Sequence, residues 1–360
     1  MPDFKFIRVE EAKAQVTMRT TAALFLAFGL IALGGPRPTS AADPVPMDVT
    51  VGYTAITPSA ITFTSHPVLE TMPEFFAKAG LKVDGVNIQM GDAVQMMMAG
   101  NPAVVEGTGL GTTATGAQQG ATDIKIFLAE TERAPYELIV RKGITRMDQI
   151  KTLGVPGITS ASSQYCQQIL KGAGLSVDKN FSLVLLGTSG ARVAAVQAGK
   201  VDGSCELSPF PELYKQQYGL ETLRGTGSLP YFAAGAWAYN TKWGADPAHH
   251  EVLVRLAEAV LMATKWSTDP ANKSKVIDLM AKSFDVPRPV AEGFYHVEIE
   301  EGALSPDAYI PKAAAAAVGR AMVAIGAMST EPASYAQYFD WSILQTAAQR
   351  LKIKIRKSEY

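Results

Sequence analysis

A loop of small hydroxyl residues opening onto a helix is the strongest candidate for chemistry: residues 158–168 read ITSASSQYCQQ. The start of a helix leaves free N–H groups that carry partial positive charge. One hydroxyl serves as the N-cap, and Ser162 or Ser163 is placed for that role. Ser160, Ser162 and Ser163, with Thr159 beside them, offer more than a cap consumes, so at least one is expected to touch a ligand. A second turn, GTSGA at 187–191, sets Ser189 between a strand and a helix, as a nucleophile elbow would. The elbow requires Gly where Ala191 stands, and none of His66, His249, His250 and His296 has a motif tying it to that serine. Ser189 and the Gly190 amide are therefore expected to donate hydrogen bonds to a ligand oxygen. The segment GTGLGTTATG at 107–116, with Glu130 beyond it, resembles a dinucleotide fingerprint, but Thr112 occupies the third Gly position, where a helix must pack closely. It is taken as a ligand-facing turn carrying Thr108 and Gly109.

Glu206 and Ser208 come next, at the end of a strand, where they should reach a cleft floor or rim. A carboxylate there suits a ligand with N–H donors and repels a bare anion; its alternative role is a hinge salt bridge. Asp92 is a similar candidate, with helix capping as the alternative. Tyr53, Tyr165, Tyr231 and Trp237 lie beside predicted rims or crossovers, where they either pack the core or sandwich a flat ligand. His249 and His250 are adjacent, so a helix points them to different faces, and there is no H-E-x-x-H or Cys pair. Neither a metal nor a cofactor is expected.

The elements that position these residues repeat. QMGDAVQMMMAGNPAVVEGTG at 89–109 and LGTSGARVAAVQAGKVDGSCEL at 186–207 each run from an apolar strand through a turn and a short helix to Ala-Gly and a second apolar run. Ala99-Gly100 aligns with Ala198-Gly199. Val94, Met97 and Met98 form one buried face of the first copy; Ala191, Ala194, Ala195 and Ala198 form a small-residue face in the second. Strands alternating with short helices predict parallel sheets covered on both faces. Each copy places a turn at the carboxyl end of a strand, where open α/β sheets bind ligands, so two lobes would form a pair of jaws. From Asp246-Pro247 onward the pattern is helical, with Ser305-Pro306 predicted to open a helix running to Met328 and a last helix near 341–351.

With 360 residues and 47% apolar content the chain can build two lobes. Its 33 basic and 34 acidic residues show no basic stripe, which argues against nucleic acid as a partner. Arg19, the apolar run Ala22 to Leu33 and Ser40-Ala41-Ala42 read as a secretory signal peptide, since the run falls short of the roughly 20 residues a membrane span needs. Met18 is an alternative start. Cleavage before Asp43 would leave no lipid-anchored cysteine, and no second Arg adjoins Arg19 to suggest the twin-arginine route. Cys166 and Cys205 are the two cysteines, and two isolated buried thiols are favoured slightly over a disulfide.

The ordered segments VGY, PEFFAKAGLKV, GDAVQMMMAG, MDQIKTLGVPG and GTSGARVAAVQAGKVDG resemble the substrate-binding proteins of ABC importers, in the nitrate/sulfonate/taurine group that also includes thiamine-pyrimidine binders. The resemblance covers most of 49–223; the loop 53–66 is longer and richer in Thr and Ser than usual, and Ala103 replaces a commonly acidic residue. It implies a two-lobed α/β periplasmic binding protein of type II, with doubly wound sheets, two crossover hinges and C-terminal helices. Region 1–42 would be the signal region, 48–137 with 231–360 lobe one, and 138–230 lobe two. It further implies a periplasmic monomer, exported by the general pathway and not a lipoprotein. This would capture a small polar organic ligand, a sulfonate, carboxylate or heteroaromatic, for an inner-membrane ABC permease. The expected ligand-facing set is Tyr53, Thr54, Ser65, His66, Asp92, Thr108, Gly109, Ser160, Ser162, Ser163, Ser189, Gly190, Glu206, Ser208 and Trp237. The competing expectation is a secreted enzyme of this fold, either a hydrolase or one of the pyrimidine-synthesis kind.

Overall fold

The computed structural model describes residues 46–53, 72–133, 136–158, 160–207, 210–224 and 235–360. The predicted signal region, Thr54, Ser65, His66, Ser208 and Tyr231 lie outside the described residues.

The first sheet contains β1 (Met47–Tyr53), β2 (Leu81–Asn87), β3 (Val104–Thr108) and β4 (Ile124–Ala129). The second contains β5 (Tyr136–Val140), β6 (Thr152–Val155), β7 (Ser182–Leu185), β8 (Gly203–Leu207) and β9 (Glu221–Arg224). The chain then returns to the first sheet as β10 (Ala236–Asn240). The two orders correspond: β2-β1-β3-β10-β4 and β7-β6-β8-β5-β9. Purely parallel sheets were expected, but each sheet carries one antiparallel strand, β10 against β3 and β4, and β5 against β8 and β9. The odd strand in each case is the first one laid down after the chain leaves the other sheet. Two passages therefore link the lobes, one between Ala129 and Tyr136 and one between Arg224 and Ala236. This is the two-lobed α/β fold of type II periplasmic binding proteins.

Helices α1 (Met72–Lys78), α2 (Ala93–Ala99) and α3 (Leu110–Gln118) cover the first sheet, and α4 (Ala161–Gly172), α5 (Ser189–Gln197) and α6 (Phe210–Tyr218) the second. The repeat helices α2 and α5 are both followed by a left-handed glycine, Gly100 at φ 73° and Gly199 at φ 68°. That conformation is strained for any residue with a Cβ, which explains why the Ala-Gly pair recurs. Buried Val51, Val104, Val105, Ile126, Phe127 and Leu128 make the first core, and Leu138, Val140 and Leu153 the centre of the second sheet.

The C-terminal part adds α7 (Thr241–Gly244), α8 (Pro247–Ser267), α9 (Lys273–Ser283), α10 (Arg288–Tyr295), α11 (Lys312–Ala324) and α12 (Trp341–Leu351). Leu253, Leu256, Ala257, Val260 and Leu261 are buried along α8, as their spacing predicts. The helix predicted from Ser305-Pro306 instead starts at Lys312. Pro311 has no N–H and cannot sit inside a helix, and the Ser305 hydroxyl bonds the Tyr309 backbone. Among the described residues no helix is long and apolar enough to cross a membrane.

The expectation of two isolated thiols is overturned. Cys166 on α4 and Cys205 on β8 form a disulfide, with Cα atoms 5.7 Å apart. It joins a helix to the strand beneath it and closes a loop of 39 residues' separation.

Candidate functional site

The lobes meet through their turns. A Cβ placed on Gly157, after β6, would stand 2.8 Å from the Cα of Gly91, after β2. One placed on Gly187 would stand 3.2 Å from Gln89 Oε1. Gln164, in the first turn of α4, lies against Gly111, in the first turn of α3. The rims of the two repeat units thus face each other closely, and at position 157 only glycine permits the approach.

At the start of α4 the N-cap is Ser160, not Ser162 or Ser163. Its Oγ accepts from the Ser163 amide at 3.4 Å and donates to Gly157 O at 2.8 Å. The Ser163 Oγ accepts from Gln167 Nε2 at 3.1 Å. The sequence on this side of the cleft supplied three serines, and two are spent on the helix itself. Ser162 makes no side-chain hydrogen bond among the described residues. Gln164 Nε2, on the same turn, and Thr108 Oγ1, across the cleft at the end of β3, are buried without a partner. Gly109 follows Thr108 and caps α3 through its backbone alone.

Below α5 lies a charged network. Arg192 and Glu206 form a two-pronged pair, Nε to Oε1 and Nη2 to Oε2, both at 2.9 Å. Arg192 also donates to Gly187 O at 2.6 Å and to Ser204 Oγ at 3.1 Å. Ser204 Oγ donates to Glu206 Oε1 at 2.7 Å, and Ser189 Oγ donates to Oε2. Burying a charge pair is tolerable when geometry and hydrogen bonds are this complete. Glu206 is thus committed to the protein. Ser189 gives its proton to Glu206 rather than presenting it as expected; Gly190 beside it is exposed.

The two passages between lobes run side by side: the Glu130 N–H donates to Gly235 O at 2.9 Å, and the Gly235 N–H donates to Thr131 Oγ1 at 2.9 Å. Trp237 is buried there, and its Nε1 donates to Glu130 Oε1 at 2.5 Å. Beside Glu130 lies Glu298, on the single π-turn His296–Glu300. Desolvation, with the Glu130 charge adding to it, pushes the Glu298 carboxyl up to about 8, and its Oε2 has no partner. Tyr136 opens β5 and packs against buried Tyr165, with ring centroids 5.8 Å apart and the rings tilted by 53°. Burial raises its phenol, Arg192 opposes that rise, and Glu206, Glu298 and Glu106 reinforce it. One phenol therefore feels carboxylates of both lobes. Tyr53 is buried with its ring against Gly85. Asp92 is exposed and its side chain makes no cap bond, because the helix there begins through a preceding 3-10 turn. Among the described residues no group of three or more His, Cys, Asp or Glu is arranged to hold a metal.

Sequence reasoning missed Arg192, Gln164, Tyr136, Glu106 and Glu298. Arg192 had a signal, being the one charge on a helix face of small residues. Glu298 had none: it sits in the acidic run VEIEE, and only the π-turn buries it.

A family model described as the NMT1-like family matches residues 42–281, and the chain belongs to that family. Among curated proteins no sequence match is found. Three solved structures illustrate the shared fold. The periplasmic nitrate-binding protein NrtA from Synechocystis PCC 6803 is 15% identical at a TM-score of 0.64, covering 85% of this chain and 89% of that one. The alkanesulfonate-binding protein SsuA from Xanthomonas axonopodis pv. citri is 16% identical at 0.59, covering 81% and 96%. The desulfurization enzyme DSZB is 15% identical at 0.56, covering 85% and 99%.

Proposed function

We propose that this member of the NMT1-like family is the solute-binding component of an ABC importer. It would act as a monomer in the periplasm, closing two lobes on a small-molecule ligand and handing it to an inner-membrane permease. The observation that carries the reading is the pair of matching sheets whose turns meet at Gly91 and Gly157, joined by two passages that can act as hinges. Ligand contacts fall to atoms the protein leaves open, Ser162, Thr108 Oγ1, Gln164 Nε2 and the amides of Gly109 and Gly190. Thr54, Ser65, His66 and Ser208 belong to the same proposed set. Chemistry is not required: binding energy shifts the population towards the closed form.

The experiment extracts the small molecules that co-purify with the exported protein and identifies them by mass spectrometry. Each is returned to ligand-free protein in thermal-shift and small-angle scattering measurements, and then searched for turnover. A ligand at about 100 times its Kd adds about 2.7 kcal/mol of stability. Stabilisation with compaction and an unaltered ligand supports the reading. A converted ligand would place the chain with the desulfurization enzyme instead, and ligand binding without compaction would defeat the jaw mechanism.

A further inference from the structure

The first turn of α4 faces the other lobe, and the far end of the same helix borders a cavity of about 300 Å³. The cavity lies between the last turns of α4, the connection from α4 to β7, and the last turn of α11. Its size falls at the lower end of the range for small-ligand pockets. The connection forms a built wall: the Ser176 N–H donates to Asn180 Oδ1 at 3.0 Å, and the Asp178 N–H donates to Phe181 O at 2.8 Å. Leu175, Val177 and Phe181 of that connection, with Val323 of α11, give the cavity an apolar side.

The polar side carries two opposite demands. Lys171 is the one ionisable side chain lining the cavity, and it has no ion-pair partner among the described residues. Against it stand acceptors. Buried Gln167 spends its Nε2 on Ser163 Oγ at 3.1 Å and Ile158 O at 3.4 Å, while its Oε1 accepts no hydrogen bond among the described residues. Both α4 and α11 end here, and a helix C-terminus carries partial negative charge on carbonyls that no later turn engages. The Ala324 and Ile325 carbonyls accept no backbone hydrogen bond among the described residues. A simple carboxylate would satisfy Lys171 but face the two helix ends. A simple amine would satisfy the carbonyls but face Lys171. A molecule carrying both groups satisfies both.

We propose that this cavity is a second ligand site and that it takes an α-amino acid with an apolar side chain. The carboxylate pairs with Lys171, the ammonium donates to the α11 carbonyls and Gln167 Oε1, and the side chain lies on Leu175, Val177 and Phe181. The occupant joins α4 to α11, a helix that also packs against α3. The site is separate from the cleft and does not depend on the solute-binding reading.

Calorimetric titration and thermal shift test it with L-leucine and L-phenylalanine at millimolar concentration. Isocaproate and hydrocinnamate are the same molecules without the ammonium, isoamylamine and phenethylamine the same without the carboxylate, and glycine lacks the apolar side chain. At least one of the two amino acids should bind, and its two analogues and glycine should each bind at least about tenfold more weakly, the loss expected for a charged hydrogen-bonding group. Lys171→Met removes the cation, and Ala324→Trp fills the cavity from an exposed position on α11. Each variant should weaken amino-acid binding at least about tenfold while circular dichroism and urea unfolding stay those of the wild type. No binding of either amino acid, or equal binding of an amino acid and its ammonium-free analogue, overturns the proposal. Binding unchanged in both variants places the amino acid elsewhere and overturns it too. Failure of every cleft ligand to compact the protein would count against the solute-binding reading and leave this site standing.

Discussion

Replacing Glu298 by Gln should stabilise the ligand-free protein, and by an amount that grows with pH. The carboxyl is buried, Glu130 is its charged neighbour, and it keeps its proton up to about pH 8 against an ordinary value of 4.5. In the unfolded chain it ionises from about pH 4.5 upward, so between these values the folded state binds more protons than the unfolded one. Stability then falls as pH rises through this window. The contribution is intact below the unfolded value and lost above the folded one. At about 1.4 kcal/mol per unit, the window amounts to an upper bound of about 5 kcal/mol. Gln does not titrate, and it mimics the protonated form. The difference between variant and wild type should therefore be smallest at pH 5, below about 1 kcal/mol, and reach at least about 2 kcal/mol at pH 9, allowing for relaxation around the charge. Urea unfolding of both proteins at pH 5, 7 and 9 measures it, and the subtraction cancels every other titration. A difference independent of pH, or a variant less stable than wild type at pH 9, would refute the assignment of Glu298 as a desolvated acid.

The remaining predictions concern the second lobe and the rims. Changing Cys166→Ser with Cys205→Ser should cost about 4 kcal/mol in denaturant unfolding, from the chain entropy of the closed loop; detection of two free thiols in the denatured, unreduced wild type would contradict the pairing. Arg192→Leu should cost about 3 to 5 kcal/mol because it strands the Glu206 carboxylate. Adding Glu206→Leu should recover much of that loss, and a double variant no better than the single would show that the pair is not the cause. Gly157→Val should fold normally yet resist closure, since its Cβ meets the Gly91 backbone at 2.8 Å. Scattering that shows ligand-driven compaction equal to the wild type would sink that argument.

How far the sequence could be read depended on whether a feature was local. Ala-Gly at 99–100 and 198–199 marked both repeat helices because left-handed backbone selects glycine within one turn. Strand and helix identities followed from apolar spacing. The direction of β5 and β10 was not legible, because it depends on which sheet the chain joins after a crossover rather than on their own residues. Ser160, Ser162 and Ser163 were all legible as helix-start hydroxyls, but the division of labour among them turns on a 2.8 Å bond to Gly157 from the preceding turn. Glu298 was invisible for the same reason: its burial is tertiary, its flanking Val297 and Ile299 are only half-buried, and the acids Glu300 and Glu301 after them are exposed.

The two copies of the repeated unit have diverged at the positions that matter for charge. Aligning Ala99-Gly100 with Ala198-Gly199 sets Arg192 opposite Ala93, and Cys205 opposite Glu106. Ala93 is fully buried and adds nothing polar at that position of the repeat. Lobe two has the Arg192 guanidinium there, satisfies its own carboxylate Glu206 with it, and stitches the preceding position to α4 through the disulfide. The second jaw is therefore internally complete, with its charge closed and its helix fixed to the sheet. The first jaw keeps Glu106 and the open Thr108 hydroxyl on one strand face, and its lower edge carries Glu130 and Glu298. The same unit thus serves lobe two as a cross-linked element, through Arg192–Glu206 and Cys166–Cys205, and serves lobe one with an apolar residue at the position matching Arg192.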